Sequence, residues 1–291
     1  MRRFRRCLLL GAAWACAAAA AAAGFSDDRG RSLALPGPAV RIVTLAPNLT
    51  ELAFAAGAGG KLVGVGAWSD YPEAARTLPQ TGDAARLDAE RILLLRPDLV
   101  LAWRSGNPAA ELARLERLGL PVFVVEPARL GDVPRLLRVV GALAGTEADA
   151  ERAASAFEAG VAALRARYGT RPRVAVFYEI WDEPLLTVNG GHIISDVIAL
   201  CGGRNVFEGA PQLTPAVSRE SLLAADPDVI IASVSAGGDA AARRLRRLPS
   251  LRAVAQGRIF TVPPDLIQRA TPRILEGATQ VCEALERSRR E

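Results

Sequence analysis

The stretch ILLLRPDLVLAWRSGN, residues 92–107, contains the pattern that organises the whole chain. It begins apolar, turns at the Arg-Pro-Asp tripeptide of residues 96–98, runs apolar again and stops at Trp103 and a polar loop. The stretch ESLLAADPDVIIAS, residues 220–233, repeats this plan about 130 residues later. A period of that length indicates a duplicated lobe, because solenoid repeats are only about 20–50 residues long. The alternative is a chance likeness of two helix–turn–strand units.

Short apolar strands alternate with helical segments on both sides of these stretches. The strand-like segments are VRIVTLA, KLVGVGA, DLVLAW and LPVFVVE in the first half, and RVAVFYEI, DVIIAS and GRIFTVP in the second. One intervening helix is predicted for DAAARRLRRLPSL, residues 239–251. Such alternation predicts parallel sheets with helices on their faces. We therefore expect an α/β protein with two Rossmann-like lobes, at residues 39–131 and 171–291, and a ligand cleft between them.

The segment between the lobes, residues 132–170, predicts a stiff connection. Its second part, EADAERAASAFEAGVAALRARY, has no proline and one internal glycine. Four apolar residues in it follow helical spacing on one face: Phe157, Val161, Leu164 and Tyr168. Flexible linkers are instead rich in Gly, Ser or Pro. We expect a single long rigid helix of about 20 residues to join the lobes.

The first 24 residues have the pattern of a secretory signal peptide. Four arginines precede an alanine-rich apolar run that ends in small residues near Gly24. Lipidation at Cys16 is a weaker alternative. Removing this segment removes four arginines and lowers the formal charge from +5 to +1, so no basic patch remains that would indicate nucleic-acid binding.

The cysteines agree with export. Cys7 and Cys16 lie in the leader, which leaves Cys201 and Cys282 as one pair in an oxidising compartment. We predict a disulfide between them, with two buried free thiols as the alternative.

Aromatic and polar residues follow the predicted strands at their carboxyl ends. Trp68, Trp103 and Trp181 all come directly after a strand or end one, and Asp265 follows the last strand. Ligands of open parallel sheets bind beyond these ends. Three such tryptophans in two lobes favour an aromatic-lined cleft over lids on the core.

Enzyme and metal motifs are scarce. His192 is the only histidine, which excludes most catalytic triads and metal sites built from several histidines, and we assign it to a turn. The GAGGK segment at residues 57–61 lacks the hydroxyl residue of a phosphate-binding loop and follows a helix. We therefore expect a binding protein without catalytic residues, resident cofactor or metal.

The chain resembles the substrate-binding proteins of ABC importers that have a helical backbone (class III). Among these it looks like the periplasmic cobalamin (vitamin B12)-binding proteins. The likeness runs over nearly the whole mature chain. It is carried by RIVTLAPNLTELAFAAG, WSDYPEAAR, DAERILLLRPDLVLAWRSGN, VFYEIWDEPLLT, CGGRNVF, VSRESLLAADPDVI and QRATPRI.

The resemblance implies roles for particular residues. It implies ligand contacts in the cleft, permease docking by the two glutamates of the duplicated stretches, and the disulfide already predicted. The residues concerned are Trp68, Trp103, Asp265 and Arg269 for the ligand, Glu90 and Glu220 for docking, and Cys201 and Cys282 for the disulfide. Their positions at strand ends add Arg104 and Trp181 to the candidate ligand residues, and Trp181 replaces part of an aromatic surface that the family has elsewhere.

The resemblance also implies a cargo and partners. The cargo is cobalamin or a related corrinoid. The protein is expected to be a periplasmic monomer that delivers this cargo to a permease and ATPase complex in the inner membrane. Some aromatic positions of the family hold small residues here, such as Thr214. An iron siderophore or haem therefore remains the alternative ligand.

Overall fold

The computed structural model describes residues 24–83, 85–234 and 248–290. The predicted signal peptide, except for Gly24, and most of the predicted helix at residues 239–251 lie outside the described residues. Within the described part, no helix is long and apolar enough to cross a membrane.

The N-terminal lobe is a four-stranded parallel sheet with helices on its faces and a small antiparallel hairpin at its start. Its strands are β1 (Gly24–Ser26), β2 (Ser32–Ala34), β3 (Ile42–Thr44), β4 (Leu62–Val65), β5 (Leu99–Trp103) and β6 (Val122–Val125), and its helices are α1 (Pro47–Ala55), α2 (Ala89–Leu94) and α3 (Ala109–Arg117).

The C-terminal lobe repeats this architecture. Its strands are β7 (Val174–Glu179), β8 (Gly203–Asn205), β9 (Val229–Ser233) and β10 (Ile259–Val262), and its helices are α6 (Ile193–Leu200), α7 (Arg219–Ala225), α8 (Arg252–Ala255), α9 (Pro264–Ile267) and α10 (Ile274–Arg290). Two further helices connect the lobes, α4 (Asp132–Ala144) and α5 (Glu147–Tyr168).

The two sheets have the same topology, which confirms the predicted fold. The strand orders are β4-β3-β5-β6 and β8-β7-β9-β10, and all neighbouring strands within each sheet are parallel. In each lobe the first strand of the sheet therefore lies between the second and the third. This shared order is stronger evidence of duplication than the likeness of two short stretches.

The duplicated stretches also share their local geometry. Arg96 and Asp226, each directly before a proline, have φ values of 46° and 32°, in the left-handed region. The next aspartate in each stretch then accepts a backbone N–H of the neighbouring segment. Asp98 accepts from Arg41, and Asp228 accepts from Ala175. Each turn thus fixes the start of a central strand of its sheet.

The predicted connector comprises α4 and α5, separated by a turn at residues 145–146. Helix α4 packs closely on α5, because a Cβ at Gly141 would lie 2.3 Å from the Cβ of Ala150. Helix α5 has 22 residues, about 33 Å, and carries the predicted apolar stripe. Its Gly160 faces Leu275 of α10, so the same helix contacts both lobes. The prediction of a long helix joining the lobes is confirmed.

One hydrophobic core runs through α5 from lobe to lobe. Buried residues of β3, α1, α4, α5, β7, α6 and α10 form a single cluster. The predicted disulfide between Cys201 and Cys282 is confirmed, and it fixes the end of α6 to α10. The continuous core makes large hinge motion between the lobes costly, whereas the disulfide stiffens the C-terminal lobe alone.

Candidate functional site

The candidate site is the cleft between the carboxyl ends of the two sheets, where ligands of open parallel sheets bind. The start of α1 and the loops after β5 and β6 reach it from one side, and the turn before α6 reaches it from the other. Between the lobes the cleft narrows to a small cavity of about 40 Å³. Its wall includes Asn48, Trp103, Glu126, His192, Leu213 and Gln268.

Trp103 forms a fixed wall of the cavity. Its indole lies against Gly106, where a Cβ would come within 1.9 Å of the ring. Its Nε1 donates to Glu126 at 3.3 Å, and its backbone N–H donates to Asn107 at 2.8 Å. The amide of Asn107 in turn donates to the carbonyl of Leu45. The loop after β5 therefore holds the indole at the cleft, which explains why this strand ends in Trp-Arg-Ser-Gly-Asn.

Trp68 is placed very differently, at the rim. Its side chain is 79% exposed, and its backbone has a φ of 64°, in the left-handed region. The next residue is anchored, because Ser69 is buried and its hydroxyl bonds Thr50 at 2.9 Å. Strained backbone of this kind persists only where the surroundings impose it. The anchored loop presents a large apolar ring to solvent.

Trp181 is the second exposed tryptophan, at 60%. Its Nε1 donates to the carbonyl of Glu183 at 2.9 Å, which fixes the ring on the loop after β7. Arg104, by contrast, turns away from the cavity. Its guanidinium lies 3.5 Å from the carbonyl of Asp28, in the turn between β1 and β2. Arg104 is therefore adjacent to the cleft loop but is not among the residues that line the cavity.

Arg269 is the centre of an ion cluster that joins the lobes. Its guanidinium lies 2.8 Å from Glu51, 2.7 Å from Asp70 and 2.8 Å from Asp265. Glu51, at 3% exposure, also accepts from Thr271 at 2.9 Å. Glu51 and Asp70 belong to the N-terminal lobe and the other residues to the C-terminal lobe. Asp265 and Arg269, both predicted from the sequence, are thus brought together in a salt bridge.

The charges of this cluster stabilise one another. Burial opposes the charged form of Arg269, but hydrogen bonds to Asp70 and Glu51 outweigh it and leave the pKa of the guanidinium above its ordinary value. For Asp70, burial raises the pKa. The hydrogen bond and the charge of Arg269 lower it by more, so the pKa of this carboxyl lies below its ordinary value. Arg273 reinforces the cluster at 3.3 Å from Glu51 and stacks at 4.0 Å over the ring of Tyr71.

A second bridge joins the lobes on another side of the cleft. Arg129 donates to Asp196 at 2.8 Å and to the carbonyl of Gly190 at 2.9 Å. Asp196 also accepts the backbone N–H of Leu130 at 3.1 Å. The lobes are therefore fixed by side-chain contacts on either side of the cavity.

Two uncharged groups of the cavity wall retain unused hydrogen-bonding capacity. Asn48 is only 5% exposed, and its Oδ1 has no partner within the described residues. His192 caps α6 by accepting the N–H of Ile194 on Nδ1 at 3.2 Å. Burial lowers the pKa of His192 to about 4, so the ring is neutral at neutral pH with its proton on Nε2.

Glu90 and Glu220 occupy equivalent exposed positions in the two lobes. Each is the second residue of its helix, and the residue two positions earlier caps that helix. Asp88 accepts from Arg91 at 3.0 Å, and Ser218 accepts from Ser221 at 3.1 Å. The structure thus places one carboxylate at the same point of each duplicated unit.

Several site residues were missed from the sequence. Glu51 and Asp70 had no assigned role, and Asn48 and His192 were not considered as cleft residues. A charged residue beside the apolar stripe of α1 was a signal for Glu51, since carboxylates are rarely buried without a partner. Among the described residues, no group of three or more His, Cys, Asp or Glu could hold a metal ion.

Similar proteins were found at the level of both sequence and structure. The chain matches the model of the periplasmic binding protein family over residues 42–266. The vitamin B12-binding protein of Vibrio parahaemolyticus is 36% identical over 255 residues, 87% of this chain and 92% of that protein. The periplasmic vitamin B12 binding protein BtuF of Vibrio cholerae has a TM-score of 0.82 at 34% identity, covering 88% of this chain and 100% of that one.

A haem-binding protein is also similar. The periplasmic haem-binding protein RhuT from Roseiflexus sp. RS-1 has a TM-score of 0.75 at 29% identity and covers 85% of this chain and 98% of its own. The resemblance stated from the sequence is confirmed, and this protein is a binding protein, not an enzyme. With the family match spanning both lobes and the cleft between them, the chain belongs to the periplasmic binding protein family.

Proposed function

We propose that this chain captures cobalamin or a related corrinoid outside the inner membrane and delivers it to the permease and ATPase complex of an ABC importer. It acts as a monomer, holds no resident cofactor and carries the corrinoid only as cargo. The leader at residues 1–24 directs export and is removed. The similar vitamin B12-binding proteins, aligned over both lobes, support this assignment.

The charge of the cavity is the observation that carries the choice of ligand. No lysine or arginine is among the described residues that line it. Arg269 and Arg129, at its edges, are already paired with carboxylates. An acidic ligand such as haem or an iron siderophore needs free cations, which these arginines supply only if an interlobe ion pair breaks. A corrinoid with neutral side chains needs none.

The aromatic residues supply the apolar contact in this proposal. Trp103 forms the inner wall, and the exposed rings of Trp68 and Trp181 close on the outer edges of the macrocycle. Buried aromatic anchors of this type commonly dominate binding energy. Asp265 and Arg269 supply polar contacts at the rim, and Arg104 joins them only if its guanidinium leaves the carbonyl of Asp28.

Docking to the permease is assigned to Glu90 and Glu220. Complementary charge sets the orientation and the association rate of two proteins. A permease with two-fold symmetry presents the same surface twice, so a duplicated protein meets it with one carboxylate per lobe.

Calorimetric titration of the purified mature chain tests the ligand. Cyanocobalamin should bind with a stoichiometry close to one to one, whereas haemin and a ferric siderophore should bind much more weakly. Tight binding of haemin with no heat from any corrinoid would assign the protein to the alternative ligand, in line with its likeness to RhuT.

A further inference from the structure

The narrow cavity combines a hydrogen-bond acceptor and a donor that face it from different lobes. Asn48, at the start of α1, has a buried Oδ1 without a partner in the described part of the chain. His192, at the start of α6, uses Nδ1 for its own helix, and no hydrogen bond of Nε2 is found within the described residues. A buried polar atom such as Oδ1 of Asn48 is rarely left unpaired in a native protein unless a ligand or water completes it, and the partly buried ring of His192 offers a donor beside it.

We propose that Asn48 and His192 together bind one primary carboxamide of the cargo. The carbonyl oxygen of the carboxamide accepts from Nε2 of His192, and its NH₂ group donates to Oδ1 of Asn48. This assignment rests on the proposed function, since peripheral carboxamides are what distinguish the edge of cobalamin from that of a macrocycle bearing carboxylates.

A carboxylate fits the same pair less well. It has no N–H to give to Asn48, so the amide must turn Nδ2 towards it and leave Oδ1 unpaired. It also brings a negative charge next to Glu126, which lines the same cavity and is held there by Ser105 and Trp103. The neutral ring of His192 supplies no compensating charge. The pair therefore selects a neutral carboxamide over its acid.

His192 has a structural role as well, and the variants must separate the two. His192→Ser keeps an oxygen that can cap α6, because serine is a preferred N-cap residue, but it is too short to reach a ligand through the cavity. Asn48→Leu replaces an amide that has an unpaired oxygen by an apolar group of similar size, so the fold should be retained. Leu213→Ala is the matched control, since it removes apolar wall from the same cavity without a polar group.

The test compares cyanocobalamin with derivatives that each carry one peripheral carboxamide hydrolysed to a carboxylate. The wild type should bind at least one derivative about tenfold or more weakly than cyanocobalamin. In Asn48→Leu and His192→Ser the ratio of the affinity for cyanocobalamin to the affinity for this derivative should fall to about threefold or less. Leu213→Ala should weaken the binding of both ligands and leave the ratio of their affinities unchanged. Far-UV circular dichroism and melting curves of the free proteins check that each variant is folded.

The outcomes separate the two proposals. Equal affinity of the wild type for cyanocobalamin and every derivative overturns the carboxamide site and leaves the proposed function standing. The carboxamide site is also overturned, and the proposed function left standing, if the wild type binds a derivative more weakly than cyanocobalamin but Asn48→Leu and His192→Ser keep the full affinity ratio. Failure of every corrinoid to bind the wild type overturns both.

Discussion

Replacing Arg269 with methionine tests whether the ion cluster holds the two lobes in place. Methionine keeps much of the apolar stem and removes the charge. The cost comes chiefly from Glu51, whose side chain is 2% exposed and would lose its 2.8 Å contact with the guanidinium. Asp70 and Asp265 are about half exposed, so solvent screens them and each adds at most about 1 kcal/mol.

The magnitude follows from the partners that remain. Stranding a buried charge costs about 3–5 kcal/mol when its only partner is removed. Glu51 keeps Thr271 at 2.9 Å and Arg273 at 3.3 Å, which together should reduce the loss to about 2–3 kcal/mol. In the double variant Glu51→Gln with Arg269→Met the carboxylate is gone as well, so most of this loss should be recovered.

Urea unfolding followed by circular dichroism measures the effect. Arg252→Met is the matched control, because Arg252 also contacts two carboxylates, Asp226 and Asp228, but lies half-exposed on the surface. It should cost less than about 1 kcal/mol. If Arg269→Met costs no more than Arg252→Met, or if the double variant is no more stable than the single one, the buried cluster does not hold the lobes. A loss of corrinoid affinity at unchanged stability would instead mark Arg269 as a ligand contact alone.

Three further predictions follow from the placement of the site residues. Trp103→Ala and Trp68→Ala should each weaken cyanocobalamin binding by about 1–3 kcal/mol in calorimetry. Only Trp103→Ala should also lower the melting temperature, because the ring of Trp103 packs on the core and that of Trp68 does not. Replacing both Cys201 and Cys282 by alanine should lower the free energy of unfolding by about 4 kcal/mol, since the bridge spans 81 residues, and an unchanged urea midpoint would contradict this. Glu90→Arg combined with Glu220→Arg should abolish uptake into vesicles that contain the permease while leaving calorimetric affinity intact; wild-type uptake would show that these residues only favour their helices.

The fold could be predicted because its signals are local. The apolar strands, the proline turns and the stripe from Phe157 to Tyr168 each depend on neighbouring residues, and the structure confirms them. The strand β8 was missed because Gly-Arg-Asn has no strand propensity and is extended only by pairing with β7. The hairpin of β1 and β2 was missed for a related reason, since it is fixed by contacts such as that of Arg135 with Asp28.

The site could be predicted only in part. Strand ends located the cleft and its tryptophans, because the topology of parallel sheets determines where those ends meet. The partners of Arg269 are 218 and 199 positions away in sequence, and no spacing rule relates residues of different lobes. Asn48 and His192 illustrate the same limit. One looked like an ordinary residue of a helix start and the other a turn residue, and their shared cavity exists only once the lobes are packed.

The pH dependence of stability tests the placement of His192 without any ligand. Burial lowers the pKa of His192 from 6.5 to about 4, so between these values the unfolded chain binds a proton that the folded protein does not. The free energy of unfolding should therefore carry no penalty from this histidine above about pH 6.5. It should decrease as the pH falls towards 4, by up to about 3 kcal/mol.

The folded protein also loses stability on acidification through carboxylates with lowered pKa values, such as Asp27 and Asp70. Their loss is common to the wild type and His192→Ser, so the difference in unfolding free energy between the two isolates the histidine. That difference should shift in favour of the variant from pH 6.5 to 4. Because the chain has one histidine, protein prepared without a histidine tag gives a single imidazole resonance, whose titration measures the pKa directly. A midpoint near 6.5, with a stability difference that does not vary with pH, would mean that the ring is open to water and is not buried in the cavity wall.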